Sequence, residues 1–233
     1  MWGKWEQDVI DFEKGWYMLS FAYKWLGDKK VTTHALPDYP SWKRDKEDDH
    51  LLVTDLWKLF DQADIVVGHN ARAFDCKKAN ARFLVHRLGP PSPYKIYDTL
   101  TEARKIASNN SNKLDDLGAV WHLGRKLPHT GKHLWLGCMQ GDPKAWKTMR
   151  AYNAQDVVLL EKVYLLLRPW GNHPNVNLVN RRPRACPTCG STHIQSRGHD
   201  YNRTSEREKY ACVTCGKWCY GPWEKIATQV HIR

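Results

Sequence analysis

The sequence predicts an α/β domain, a mixed sheet flanked by helices, followed by a small cysteine-rich module. Residues 64–83 pass from the apolar run Ile65-Val66-Val67 through Gly68 into a helical pattern, as a buried strand feeding a helix does. Tyr17, Leu19, Phe21, Tyr23 and Trp25 alternate along 16–26, the period of a strand with one buried face. Two Cys-x-x-Cys-Gly pairs, Cys186/Cys189 and Cys212/Cys215, close the chain with the spacing of a metal site.

In chain order, residues 1–13 are Trp-rich and polar, with Val9, Ile10 and Phe12 as the material of a short strand. Strands over 16–26 and 30–36 form a hairpin about Gly27-Asp28-Lys29. The loop 37–49 holds Pro, Asp and Lys and is expected to be exposed. Residues 50–61 form an amphipathic helix with Leu52, Leu56, Leu59 and Phe60 inward. After Gly68, His69, Asn70, Ala71 and Arg72 make a turn into a helix over 73–87. Asp75 thus stands near a helix N-terminus beyond a strand's carboxyl end, where open α/β sheets bind ligands. The helix macrodipole alone would also favour a carboxylate there.

Pro90, Pro91 and Pro93 precede a short strand at 95–97, and Asp98-Thr99 opens a helix, a cap that accounts for Asp98 without a ligand role. A polar turn, SNNSNK, leads to a helix over 114–122. The basic loop GRKLPHTGKH (124–133) is either solvated or in contact with substrate phosphates. A long helix over Pro143–Leu167 starts with Pro in its first turn. Met149, Tyr152, Asp156, Leu160, Val163 and Leu167 form its core-facing stripe, with Tyr152 and Asp156 stacked one turn apart. A carboxylate in an apolar stripe needs a partner, either a basic side chain or a divalent cation. The expected division is an α/β domain over 1–170, a linker rich in Asn and Pro over 171–180, the cysteine module over 181–221 and a tail over 222–233.

The net charge of +11 favours a polyanionic partner. No apolar run reaches the ~20 residues of a membrane span, so no membrane partner is expected, and the N-terminus does not read as a signal peptide. The cysteine spacing suits Zn²⁺ better than disulfides and points to a reducing cytoplasm. The twenty-two residues between the pairs imply a long hairpin, and a 54-residue tail needs its metal for stability. From Asn180 onward ten Lys/Arg stand against four Asp/Glu. Arg197, Arg203, Arg207, Lys209 and Lys217 are interleaved with Tyr201, Tyr210, Trp218 and Tyr220, so phosphate contacts and base stacking on single-stranded nucleic acid are expected, with some aromatics in the module's own core. Cys76, Cys138 and Cys219 remain as ordinary thiols.

HNARAFD followed by YNAQD resembles motifs two and three of the ribonuclease H-like DEDD 3′→5′ exonucleases, in the subgroup with a motif-three tyrosine. The resemblance extends from Trp2 to about Asn177, through WYMLSFAYKWLGDKKV, YDTLTEARK and AYNAQDVVLLEKVYLLLRPW, and is greatest to exonucleases of phages and bacteria. It implies a ribonuclease H-like fold, two Mg²⁺ or Mn²⁺ ions held by four carboxylates, and removal of nucleotides from 3′ ends, DNA before RNA. By position Asp75 and Asp156 would be metal ligands, Tyr152 would orient the attacking water, and Asn70 could touch the terminal nucleotide. The C-terminal module resembles a zinc ribbon.

The family's first motif is an Asp-x-Glu on a central strand ahead of a segment resembling WGKWEQDVIDFEKG. This chain begins inside that segment, so the strand is expected upstream or on a second polypeptide, and the chain alone is expected to be inactive. The alternative is Asp11 and Glu13, which alternation places on one face. In the first case the strand ending at Gly68 and the strand from Trp16 should not pair. A non-catalytic nucleic-acid-binding protein is the contrasting function.

Overall fold

The computed structural model describes residues 15–177 and 184–226, so Asp11 and Glu13 lie outside the described residues. β1 (Ser20–Tyr23) and β2 (Thr32–Ala35) form the expected antiparallel hairpin, Ser20 opposite Ala35. It is shorter than 16–26 because the chain before it bonds elsewhere. The Met18 N–H donates to Asp49 Oδ2 (2.7 Å), and the Trp16 carbonyl accepts from Arg82. β3 (Ile65–Gly68) pairs in parallel with β4 (Lys95–Asp98), crossing over through α2 (Asp75–Val85), so Gly68 lies beside Asp98.

The two pairs of strands are separate sheets among the described residues. Ile65, Val66 and Val67 are only half buried, an uncommon state for an apolar strand in a parallel pair. The buried core accordingly falls into three clusters.

The long helix α6 (Pro143–Leu167) joins two of them. Trp146 and Met149 pack with Leu36, Leu52, Leu134 and Cys138 beside the hairpin. Leu159, Val163 and Leu167 pack with Ala103 of α3 (Thr99–Ile106) and Leu117 of α4 (Leu114–Val120). The third cluster, Val53, Ala79 and Phe83, holds α1 (His50–Gln62) on α2.

Two expectations are corrected. Residues 37–49 are not simply exposed, because two 3₁₀ turns bury Ser41 and the loop ends in Asp49, 1 % exposed. Asp49 is buried because Arg82 Nε (2.8 Å), Arg82 Nη2 (2.5 Å) and His86 Nε2 (2.7 Å) all donate to it. A helix that the pattern did not announce, α5 (Lys132–Gln140), follows the basic loop. Its buried side chains are only Leu134 and Cys138, while Trp135, Leu136 and Met139 are exposed, so it has no clean apolar stripe.

Residues 171–177 are packed against the domain. Gly171 is buried, the Asn172 N–H donates to Glu102 (3.1 Å), and Tyr164 and His173 are hydrogen-bonded at 2.7 Å. The C-terminal module is an antiparallel sheet in which β5 (Ile194–Tyr201) flanks one edge of β6 (Ser205–Cys212). β7 (Trp218–Tyr220) and β8 (Glu224–Lys225) also pair with β6. Among the described residues, no helix is long and apolar enough to cross a membrane.

Candidate functional site

The site grows from the end of β3. Gly68 must be small, since a Cβ there would lie 2.4 Å from that of Ala71 in the following turn. Asn70 takes a positive φ of 65°, and the turn is held from the neighbouring strand by Asp98. The Asp98 carboxylate accepts the N–H groups of Asn70 (2.9 Å), Arg72 (3.1 Å), Leu100 (3.1 Å) and Thr101 (3.4 Å). It is therefore more than a helix cap, because it also fixes the loop that presents Asp75. His69 Nε2 donates to the Asn112 carbonyl (2.9 Å) and Nδ1 meets the Thr99 hydroxyl (2.9 Å), so the ring is wedged under the turn. Burial lowers its pKa below the usual imidazole range.

Asp75 opens α2 and is solvent-accessible, yet protein surrounds it closely enough to strip much of its hydration. That desolvation, with the negative charge of Asp98, raises its carboxyl above the usual range. Facing it electrically is Lys126 of the basic loop, whose charge acts on Asp75 and whose ammonium binds Asp156. Lys126 Nζ lies 2.8 Å from Asp156 Oδ2, 3.3 Å from the Tyr152 hydroxyl and 5.3 Å from the Tyr152 ring centroid. Burial disfavours the ammonium, but the Asp156 hydrogen bond and charge outweigh it and raise the lysine pKa. Tyr152 is raised by burial and by the charge of Asp156. His129 stacks edge-on against Tyr152 at 4.5 Å, and Trp135 against His129 at 5.2 Å, so the loop covers the tyrosine.

Of the two partners expected for Asp156, a basic side chain is present, but it satisfies one oxygen only. Asp156 Oδ1 is buried with no hydrogen-bond partner. An orphaned oxygen on Asp156, paired to the same Lys126 whose charge reaches the desolvated Asp75, suits a hard divalent cation, and Mg²⁺ commonly binds through one or two carboxylates plus substrate phosphates. A second ion would need further carboxylates. Among the described residues, Asp75 and Asp156 belong to no group of three or more carboxylate, imidazole or thiol side chains close enough to share a metal.

A complete ligand set exists at the other end of α6. Cys186, Cys189, Cys212 and Cys215 place their sulfurs within 4.8 Å of one another. Cys186–Cys215 is 3.7 Å and Cys189–Cys212 is 3.6 Å. A tetrahedron with Zn–S bonds of ~2.3 Å has edges of ~3.8 Å, whereas a disulfide would be ~2.05 Å. Four cysteines in this arrangement could hold a zinc ion. Gly190 (φ 73°) and Gly216 (φ 78°) turn each knuckle. Although burial opposes it, the amides of Cys215 and Thr214 draw the Cys212 thiol down to about 7.

The module is tied to the α/β domain by Lys217 Nζ to the Gly171 carbonyl (2.8 Å) and by the Val176 N–H to the Pro187 carbonyl (2.8 Å). Lys217 is thereby engaged in that junction. The strand register puts Arg207, Lys209 and Ala211 on one face with Trp218 and Tyr220, and Glu206 and Glu208 on the other. Arg207 binds Asp200 (2.6 and 2.8 Å) and lies 3.9 Å from the Tyr220 ring and 4.3 Å from Trp223, so its guanidinium organises these aromatics. Arg197 and Arg203 are exposed, at the bulge of β5 and in the β5–β6 turn. Lys126, His129 and Trp223 were not singled out by sequence reasoning. Basic composition was the only signal for Lys126, since its partner lies thirty residues on.

Residues 13–168 match the RNase_H_2 family model, described as RNase H superfamily. No curated protein matches the chain.

Proposed function

The chain belongs to the RNase H superfamily, and from that premise we propose that it is a metal-dependent nuclease removing nucleotides from the 3′ ends of DNA. The observation that carries this reading is Asp156, whose Oδ1 is buried and unpartnered one turn from Tyr152, and whose partner Lys126 also acts electrostatically on Asp75. Asp75 and Asp156 would hold a divalent cation, which when bound polarises the phosphoryl oxygens and lowers the pKa of water. The Tyr152 hydroxyl would orient the attacking water, and Asn70 would meet the terminal nucleotide. The remaining carboxylates would come from outside the described residues, from Asp11 and Glu13 or from a strand on a second polypeptide set between β1 and β3. The cysteine module, as a zinc ribbon, would hold single-stranded nucleic acid on its Lys209, Trp218 and Tyr220 face, assisted by Arg197 and Arg203.

A second reading, a non-catalytic nucleic-acid-binding protein, is favoured by the Lys126–Asp156 ion pair, which neutralises one ligand internally. The test is digestion of 5′-labelled single-stranded DNA by the full chain with Mn²⁺, alone and with a supplied Asp-x-Glu strand. A ladder shortening from the 3′ end under either condition, abolished by Asp75→Asn and Asp156→Asn and slowed less by Tyr152→Phe, supports the nuclease. DNA bound but intact under both conditions establishes the second reading.

A further inference from the structure

We propose that Lys126 is a built-in counter-cation that competes with divalent metal for Asp156, so that metal enters fully only when a nucleic-acid phosphate draws the ammonium away. This rests on reading Asp156 as a metal ligand, and concerns what controls its occupancy. The ammonium holds Oδ2 at 2.8 Å while Oδ1 faces no donor, so one carboxylate is half filled by a fixed cation. A metal binding there gains less than it would from a free carboxylate, because it must displace or share with a charge of its own sign.

The backbone of the loop that carries Lys126 is pinned, whereas its side chain is held only at the tip, by Asp156 and Tyr152. The Lys126 N–H and the Arg125 guanidinium both bind Asp115 (2.8 and 2.7 Å), and Gln155 donates to the Arg125 carbonyl (2.8 Å). Movement is thus left to the four-carbon stem, whose tip is a compact point charge that suits phosphate. The Tyr152 ring lies beneath the ammonium and is itself backed by His129 and Trp135. Once a phosphate takes the ammonium, Asp156 presents both oxygens. Because such coupling is reciprocal, metal should strengthen nucleotide binding by the same factor. A purely structural ion pair makes the opposite forecast, since removing Lys126 would then loosen the site and weaken metal binding.

The experiment is a Mn²⁺ titration of the full, zinc-loaded chain, read by the electron paramagnetic resonance of free Mn²⁺, with and without thymidine 5′-monophosphate. Lys126→Met should bind Mn²⁺ about two- to fivefold tighter than the unaltered chain without nucleotide, the scale of one partly exposed ion pair. The nucleotide should strengthen Mn²⁺ binding to the unaltered chain and do little for Lys126→Met. Lys126→Arg, which keeps the charge, should behave as the unaltered chain, and Lys126→Gln repeats the measurement with a polar replacement. Equal or weaker binding in both neutral variants, with Asp156→Asn abolishing it, would overturn the counter-cation role and leave the ligand reading standing. Mn²⁺ binding unaffected by Asp156→Asn would overturn both.

Discussion

Stripping metal from the four cysteines should unfold residues 184–226 and leave the α/β domain standing. Among those residues only Cys186, Thr188 and Cys212 are buried, and none of the three apolar clusters reaches into the module. With no aliphatic core to offset backbone ordering, its stability is expected to come from a metal on the four cysteines. Structural zinc contributes ~10–16 kcal/mol in small modules, equivalent to dissociation constants of ~10⁻⁷ to 10⁻¹² M. The junction with the domain is lighter. Lys217 to Gly171, Val176 to Pro187 and Asn177 to Ala185 are three hydrogen bonds of about 0.5–1.5 kcal/mol each. At ~2–4 °C per kcal/mol for a chain of this size, their loss should lower the melting temperature of the domain by no more than ~18 °C. The assay is elemental analysis of protein purified without chelator, then trypsin digestion before and after chelation. One zinc per chain is expected, with Arg203, Arg207 and Lys209 cut only in the stripped protein and an intact fragment ending near residue 180. Cys189→Ser and Cys212→Ser should reproduce the stripped state. Zinc-free protein at purification, or a module that resists trypsin after chelation, would refute the reasoning.

Arg82→Ala should destabilise the fold by ~3–5 kcal/mol, because it removes the permanent countercharge of the buried Asp49 carboxylate and leaves it only His86 and the Met18 N–H, while Arg82→Met with Asp49→Leu should recover most of the loss in thermal melts. Burial lowers the pKa of both His69 and His173, so the unfolded chain binds more protons just below 6.5. Their stability contribution is full above that value and declines as pH falls through it, by up to ~1.4 kcal/mol per unit for each histidine. Urea midpoints at pH 7.5 and 5.5 should differ, and the difference should shrink in a His69→Asn/His173→Asn double variant. Asp98→Ala should cost about 3 kcal/mol or more by leaving four N–H groups without their acceptor, whereas Asp75→Asn should be neutral or mildly stabilising at neutral pH. Denaturant titrations of both variants give the comparison.

What was legible in the sequence was whatever one element states by itself. The run of Ile65 to Gly68 with its turn, the stripe of α6 and the Cys-x-x-Cys spacings each carry their structure locally. What was illegible depends on partners far along the chain. Asp49 ends an acidic, lysine-rich stretch that looks solvated, and only Arg82, thirty-three residues away, makes it a buried hub. Lys126 is one of several basic residues in its loop until folding sets it against Asp156. Helix α5 stayed hidden because its exposed Trp135, Leu136 and Met139 break the apolar period that would have announced it.

Asp75 and Asp98 follow the ends of two paired strands and have opposite fates for a reason in the backbone. Asp98 ends β4 directly against Gly68, so the turn after β3 and the first turn of α3 both point their N–H groups at it. Three of those donors go to Oδ1 and one to Oδ2, so the carboxylate is committed to holding the backbone. Asp75 comes a turn later, after the loop has spent its N–H groups on Asp98, and the charge of Asp98 makes its own less comfortable. On the proposed ligand role of Asp75, the structural carboxylate creates the conditions for it: Asp98 holds the turn that leads to Asp75, and its charge raises the advantage of a cation there. Any lesion at Asp98 should therefore lower stability and metal affinity together, while a lesion at Asp75 should separate them.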